Sequence, residues 1–496
     1  MKRFFYLSLF LIALFSLVFV TRLMNGDLDR AKAITTVTPA LASSTIAANP
    51  QTHSGLKLQL PDYPVPTKLR IDDSQRFLVR ADGSPFVWIG DTFWLFSKLT
   101  RQQRIQLLDD RQSKGYNVVM IRVGMGNEKV DEPIGFEGNL EPIESHFQEI
   151  DHLVAEANQR GMYVAIATGW WQIIQDYDAT ALYNFGKFIG DRYKDNNNVI
   201  WLSAGESGGH LRRQKLDLER VRSLVRGIRD GDTGNKLLTI HGDFERGTSI
   251  SPMNTLVDFN NWQTSQWCCP DDLPRKDERN WTVWQAITYD YQQSPTKPTL
   301  DIEAWYENTN LGGGTPAAPF NIRRRAYFSI FAGGFGHSYG GSGVWDAMAD
   351  FDRALQLEGS VQIGYLSQLL HALGSDFLKL RPAQSIIVRG QSDDYDRHIQ
   401  ATMANDGSYG LVYTAGQRDF ALDLSSFNTE SISAMWFNPR TNELSSQRLL
   451  RRETTDACCE PNRLCALTVG QSTVTKGSEV NFTTPEQGDW VLVLGR

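Results

Sequence analysis

The chain has little cysteine and no arrangement of it that would hold a metal. Its five cysteines stand as Cys268-Cys269, Cys458-Cys459 and Cys465, without the paired C-x-x-C spacing of a zinc site, and no H-E-x-x-H pair occurs. Neither a metal nor an organic cofactor is expected. No basic block is long enough to track a phosphate backbone and the formal net charge is −7, so nucleic acid is not an expected partner. No periodic internal repeat is present, and compositional bias is confined to an Ala/Thr/Ser/Pro-rich stretch at residues 31–50.

What is present describes a large folded protein. Hydrophobic residues make up 41% and charged residues 22% of 496, close to globular averages and enough for a sizeable core. The length allows two or three domains, or one large barrel with a module. Aromatics reach 11%, with 13 tryptophans; flat rings of this kind serve as stacking platforms in sugar clefts and also fill barrel cores. Residues 1–22 have a short basic start (Lys2, Arg3), an apolar run from Phe4 and a closing Arg22. This reads as a signal peptide or a membrane anchor, and so allows membrane attachment; the run is near the lower limit for a span and no small-x-small cleavage site directly follows it. Residues 23–55 read as a flexible linker.

In RFLVRADGSPFVWIG two β-rich runs flank Asp82-Gly83, a type I′ hairpin signal. From there short apolar strands alternate with helical patterns, as in βαβ units. Strands are expected at 86–92, 118–123, 163–168, 199–203, 237–241, 257–261, 299–303 and 335–339. Helices are expected at 101–114, 147–160, 180–193, 216–229 and 322–331, with an irregular connection between the fifth and sixth strands. Eight such strands imply a (β/α)8 TIM barrel, an α/β fold, over residues 56–382. Beyond Pro382 the pattern changes to short alternating segments, from SIIVRG to DWVLVLG, which predict a small all-β sandwich over residues 383–496.

In a barrel, chemistry is built where strands end. Those positions carry Asp91 and Trp94, Arg122, Trp170 and Trp171, Glu206, His241, Asn261 with Trp262 and Gln263, Glu303 with Trp305 and Tyr306, and then His337, Tyr339 and Trp345. Cleaving a glycosidic bond needs two carboxyl groups, one to protonate the leaving oxygen and one to attack or activate water. Glu206 and Glu303, after strands four and seven, meet that need; Asp91, Trp94, Arg122, Trp170, His241, Trp262, Gln263, Trp305, Tyr306, His337, Tyr339 and Trp345 are candidates for holding substrate. Arg122 and Arg324 are candidates for keeping the carboxylates ionised. Each glutamate also has a plainer reading as a helix N-terminal charge or a loop ion pair, and His241 and His337 as hydrogen-bonded core histidines. A competing motif is Gly205-Glu206-Ser207-Gly208-Gly209, which satisfies G-x-S-x-G after a strand. It would make Ser207 an esterase nucleophile, with Asp301 and His337 or His371 downstream. A non-catalytic carbohydrate-binding protein is the third reading.

The segments FLVRADGSPFVWIGDTFW, GYNVVMIRV, NVIWLSAGE, DFNNWQTS, KPTLDIEAWYE and RRRAYFSIFAGGFGHSYGGSGVW occur in an order that resembles the apiosidase-like glycoside hydrolases, over the stretch from Phe77 to Trp345. The barrel of that family also goes under the label of a putative collagen-binding domain of a collagenase, and AMWFNPRTNE is similar to the sandwich that follows it. The resemblance implies an acid/base carboxylate at Glu206, where Ala204-Gly205-Glu206 replaces the usual Gly-Gly-Asp, and a nucleophile at Glu303, in Ile302-Glu303-Ala304 rather than Gly-Glu-Pro. It implies a retaining hydrolase of polysaccharides or oligosaccharides; the departures bear on the sugar more than on the reaction.

If export delivers the chain to an oxidising space, Cys465 is close enough in sequence to pair with Cys458 or Cys459. One disulfide is expected in the mature protein. Intact-mass measurement with and without reductant checks this: a gain of two hydrogens on reduction is the expected result, and no gain would refute it.

Overall fold

The computed structural model describes residues 56–60, 63–124, 134–234, 236–243, 247–250, 252–264, 281–309, 315–348, 350–445 and 472–495. The five cysteines and residues 1–55 fall outside them, and with them the disulfide and the N-terminal segment. Among the described residues no helix is long and apolar enough to cross a membrane.

Eight parallel strands form the barrel: β1 (Trp88–Thr92), β2 (Val118–Arg122), β3 (Tyr163–Ala167), β4 (Val199–Ser203), β5 (Leu238–Ile240), β6 (Asn260–Gln263), β7 (Thr299–Glu303) and β8 (Gly336–Tyr339). They are hydrogen-bonded in the order β5-β4-β3-β2-β1-β8-β7-β6. The ladder is interrupted between β5 and β6, the connection expected to be irregular, where 3-10 turns at Thr248–Ile250 and Pro252–Leu256 are found. Side chains bridge the gap. Asn261 Nδ2 donates to Thr239 Oγ1 and Ile240 O at 2.7 and 2.8 Å, and its Oδ1 accepts from Gly242 N; Asp258 Oδ2 accepts from Leu238 N. Buried backbone groups left by the ladder are thereby satisfied.

The helices that cover the strands include α1 (Arg101–Lys114), α2 (Glu144–Gln159), α3 (Ala179–Tyr193), α4 (Leu218–Gly231), α5 (Val283–Tyr291), α6 (Pro319–Phe331) and α7 (Glu358–His371). Their ends follow local chemistry. Thr100 and Gln103 close a capping box on α1, and Gly115 ends it in the left-handed region at φ +100, as expected of a C-terminal glycine. The hairpin before β1 differs from its sequence signal: only Gly83 has a positive φ, +84, and Gly83 N bonds Arg80 O. A type I′ turn needs positive φ at both central residues, so this is the longer loop with glycine in the left-handed position.

Past α7, and with Leu56–Lys57 from before the barrel, the chain forms two antiparallel sheets. The larger runs Leu56–Lys57, Glu443–Ser445, Ser431–Asn438, Trp490–Gly495, Gly410–Thr414, Ile399–Ala404, Leu380–Pro382, and the smaller joins Ile387–Arg389, Asp419–Leu422 and Val480–Thr483. Phe420, Trp436, Phe482 and Trp490 pack between them. The other face of the larger sheet buries Leu411, Tyr413, Phe437 and Val491 in the core shared with the barrel. Burial on both faces explains why WVLVLG reads as a continuous apolar run.

One ion pair ties this sheet to the barrel. Arg323 of α6 grips Asp489 through Nε and Nη2 at 2.8 and 2.6 Å, Tyr413 donates to the same carboxylate at 2.9 Å, and Tyr327 stacks on Tyr413. Both charges are buried. Removing one partner strands the other in a dry interface, at about 3–5 kcal/mol. Asp489→Ala is therefore expected to lower the urea midpoint sharply, and Arg101→Ala, which opens an exposed pair with Glu149, to leave it nearly unchanged; equal shifts would contradict this account.

Candidate active site

The turn after β4 places Glu206. Ala204 and Glu206 both have left-handed backbones, at φ +49 and +53, a conformation that costs non-glycine residues about 1–3 kcal/mol and persists only when its surroundings enforce it. They do. Gly205 N donates to Gly169 O, Trp171 N to Gly205 O and Glu206 N to His241 O, at 2.7, 2.9 and 3.1 Å. A Cβ on Gly205 would lie 2.5 Å from Trp170 Cε3, so glycine lets the Trp170 ring lie over the turn. From there Trp170 Nε1 donates to Glu206 Oε2 at 3.1 Å.

Glu303 ends β7 and is ringed by donors. Its Oε1 accepts from the Tyr306 hydroxyl and from Trp94 Nε1 at 3.3 Å; Trp94 Nε1 also reaches the Tyr306 oxygen at 2.6 Å. Its Oε2 accepts from Gln263 Nε2 at 2.9 Å and lies 3.0 Å from His241 Nε2. The same Gln263 nitrogen donates to Glu206 Oε1 at 3.1 Å. One amide thus holds one oxygen of each carboxyl group.

The electrostatics separate the two. Burial, then the negative charge of Glu303, pushes the pKa of Glu206 above its ordinary value against the opposing pull of His241, Trp170 and Gln263. Burial works against the charged form of His241, yet the hydrogen bond and charge of Glu303 outweigh it and its pKa is raised. His241 Nδ1 sits 2.7 Å from Gly242 O, and its Nε2 faces Glu303. Burial and the neighbouring carboxylate thus favour the neutral form of Glu206, and Glu303 favours the charged form of His241.

Of the positions read from the sequence, the structure brings together Glu206, Glu303, Trp94, Trp170, His241, Gln263 and Tyr306. Trp345 joins them with its ring 5.7 Å from that of Tyr306, and the Arg122 guanidinium lies 5.8 Å from the Trp170 ring. Trp171 stacks on His210 at 3.9 Å. Trp305 is buried and its indole N–H reaches neither carboxylate.

Several others face away. Asp91 is fully buried in an ion pair with Arg111 of α1 at 2.6 Å, and Tyr339 donates to Glu307 at 2.7 Å. Trp262 packs against Trp281 beside α5. His337 stands 3.9 Å from Asp301, its pKa lowered to about 3 by burial and then by Arg325 of α6. Arg324 pairs with Asp396 in place of either carboxylate. Asn261 is occupied in bridging the barrel gap. Asp91, Trp262, His337 and Tyr339 lie between strands and helices, because a strand turns every second residue outward. Ser207 is accounted for as well: its hydroxyl donates to Ala204 O at 2.7 Å, bracing the strained turn, and among the described residues no imidazole is hydrogen-bonded to it, so the esterase triad is not assembled there.

Sequence reading passed over Gly340, where a Cβ would strike the Tyr306 ring and Thr92 Oγ1, and the outward pair Arg111 and Glu307. The doubled glycine at 340–341 was the available sign of a close approach.

Residues 72–375 match the model of the apiosidase-like catalytic domain, and residues 381–495 match that of a putative collagen-binding domain of a collagenase. The second label thus falls on the sandwich and not on the barrel. A solved structure described as a glycoside hydrolase aligns with a TM-score of 0.71 at 22% identity, over 88% of this chain and 98% of its own. A glycoside hydrolase family 5 structure from Bacteroides vulgatus ATCC 8482 aligns with 0.72 at 24% identity, over 88% and 95%. A putative glycoside hydrolase from the same organism aligns with 0.63 at 14%, over 86% and 82%. At these identities the likeness establishes the fold. No curated protein sequence matches the chain. The catalytic-domain model covers more than half of the 496 residues, and the protein belongs to the apiosidase-like family of glycoside hydrolases.

Proposed function

We propose that the protein cleaves a polysaccharide or its oligosaccharide fragments with retention of anomeric configuration, Glu303 attacking and Glu206 serving as acid and then base. The observation that carries this reading is the single Gln263 nitrogen bonded to both carboxyl groups. The two N–H bonds of an amide diverge by about 120°, so oxygens held one on each lie about 5 Å apart. Retaining enzymes have carboxyl groups about 5–5.5 Å apart, and inverting enzymes about 6.5–9.5 Å to admit a water. The spacing supports direct attack.

The steps follow from the protonation states. An electron pair of Glu303 forms a bond to the anomeric carbon as the glycosidic bond breaks, and Glu206 gives its proton to the departing oxygen. Trp94, Tyr306, Gln263 and His241 hold Glu303 aimed. Once the leaving group has gone, Glu206 is a carboxylate; it takes a proton from water, whose oxygen attacks the anomeric carbon and releases Glu303. The apolar start of the chain supports an exported protein, secreted, periplasmic or anchored, meeting its substrate outside the cytoplasm.

Four measurements test the assignment. Glu303→Ala is expected to abolish turnover. Glu206→Ala should lose about 10²–10⁴-fold on poor leaving groups and far less on activated aryl glycosides, with azide restoring activity as a glycosyl azide of retained configuration. Ser207→Ala should keep most of the activity. Proton NMR of the first-formed sugar decides the stereochemistry: the opposite anomer appearing before mutarotation would overturn Glu303 as nucleophile.

The pH dependence has a definite sign. Glu206 must be protonated to act first, and its pKa is raised. Activity should therefore persist above the ordinary glutamate range near pH 4.3 and fall as pH climbs through the raised value. Glu206→Ala should erase that alkaline limb for activated substrates; a limb unchanged in the variant would assign it to another group.

A further inference from the structure

Gln263 is fully buried, and the two hydrogens of its amide are both committed, one to Glu206 and one to Glu303. Its Oε1 is buried too and has no hydrogen-bond partner among the described residues. The orientation is dictated: turning the amide over would set an acceptor oxygen against the Glu303 carboxylate. A buried acceptor without a donor is costly, and such groups in native proteins call for an explanation. By covalent geometry this atom lies beside the nitrogen that spans the two carboxyl groups, next to the place the anomeric carbon must occupy.

A pyranose or furanose ring offers two neighbours to its anomeric carbon. One is the ring oxygen, which has no hydrogen to give. The other is C2, whose hydroxyl can donate. We propose that Gln263 Oε1 accepts a hydrogen bond from the C2 hydroxyl of the glycone, so that Gln263 restricts the substrate to sugars bearing a free hydroxyl there. The inference rests on Glu206 and Glu303 being acid/base and nucleophile. Gln263 is then both a positioning residue for the carboxyl groups, through nitrogen, and a specificity residue, through oxygen.

The probe is a 4-nitrophenyl glycoside that the full-length protein hydrolyses, compared with its 2-deoxy and 2-O-methyl congeners. A site built to pair with a hydroxyl rejects an analogue lacking it, and the wild type is expected to favour the parent by at least about tenfold in kcat/KM. 2-Deoxy glycosides are intrinsically the more labile, which makes the comparison stringent. Gln263→Leu should be slower on the parent and lose the preference. Gln263→Glu keeps an acceptor but adds a carboxyl group between the other two; it should keep the preference and move the alkaline limb of the pH profile upward. Equal rates on parent and congeners by the wild type would overturn the proposal without any variant having to fold. So would a folded Gln263→Leu that is slower on all three by one factor, which is the signature of positioning alone. Failure of the underlying reading looks different: the wild type would hydrolyse no glycoside at all, and the inference would fall with it.

Discussion

Two carboxyl groups held by one amide nitrogen in a buried pocket set the terms for the rest of the site. At that distance, and away from water, two like charges repel strongly, and the favoured state has one of them neutral. The surroundings decide which. Glu303 collects the hydroxyl of Tyr306, the indole of Trp94 and the ring of His241, whereas among the described residues Glu206 accepts from Trp170 and the shared amide. The donors thus gather around Glu303, while burial and that neighbouring carboxylate raise the pKa of Glu206.

The arrangement needs a backbone that keeps both groups in place. β7 delivers Glu303 directly, as the last residue of a strand flanked by β6 and β8. Glu206 has no such support, since it stands beyond the end of β4 in a left-handed conformation. Its position is enforced by bonds from the ends of β3 and β5, by Trp170 lying over Gly205, and by Ser207 closing the turn beneath. The motif that suggested a nucleophilic serine is the hardware of this turn. A G-x-S-x-G pentapeptide marks a tight strand-to-helix reversal whichever of its side chains faces the substrate.

The barrel was legible because its signal is distributed over eight apolar runs and the helical patterns between them. Seven of the strand-end positions were legible as a site for the same reason, since any residue at the mouth of a barrel is a candidate. What could not be read was phase. Asp91, Trp262, His337 and Tyr339 end strands as surely as Glu303 does, and a one-residue uncertainty in where the alternation starts exchanges inside for outside. β6 adds a register shift between Trp262 and Gln263, which no composition signals. Arg324 was misread on another ground. A run of three arginines in an apolar helix offered three candidates, and docking against the sheet turns Arg323 to Asp489 and Arg324 to Asp396.

The outward-facing residues still bear on the chemistry. Tyr306 and Glu307 are consecutive, one turned to Glu303 and the other to the helices. Glu307 accepts from Tyr339 and from Gly359 N at 2.7 and 2.9 Å, and its own N–H donates to Gly340 O at 2.8 Å. Next to it, Tyr339 and Tyr116 flank the Arg111 guanidinium that Asp91 neutralises. The Tyr306 hydroxyl therefore reaches Glu303 from a backbone pinned on its far side by a buried network running from β1 through α1 to β8. Rigidity of this kind matters most at Tyr306, since a hydrogen bond to a nucleophile orients it only as well as the donor is itself held. Asp91 and Tyr339 thus act on the site through the scaffold, one layer removed from the substrate that the sequence assigned to them.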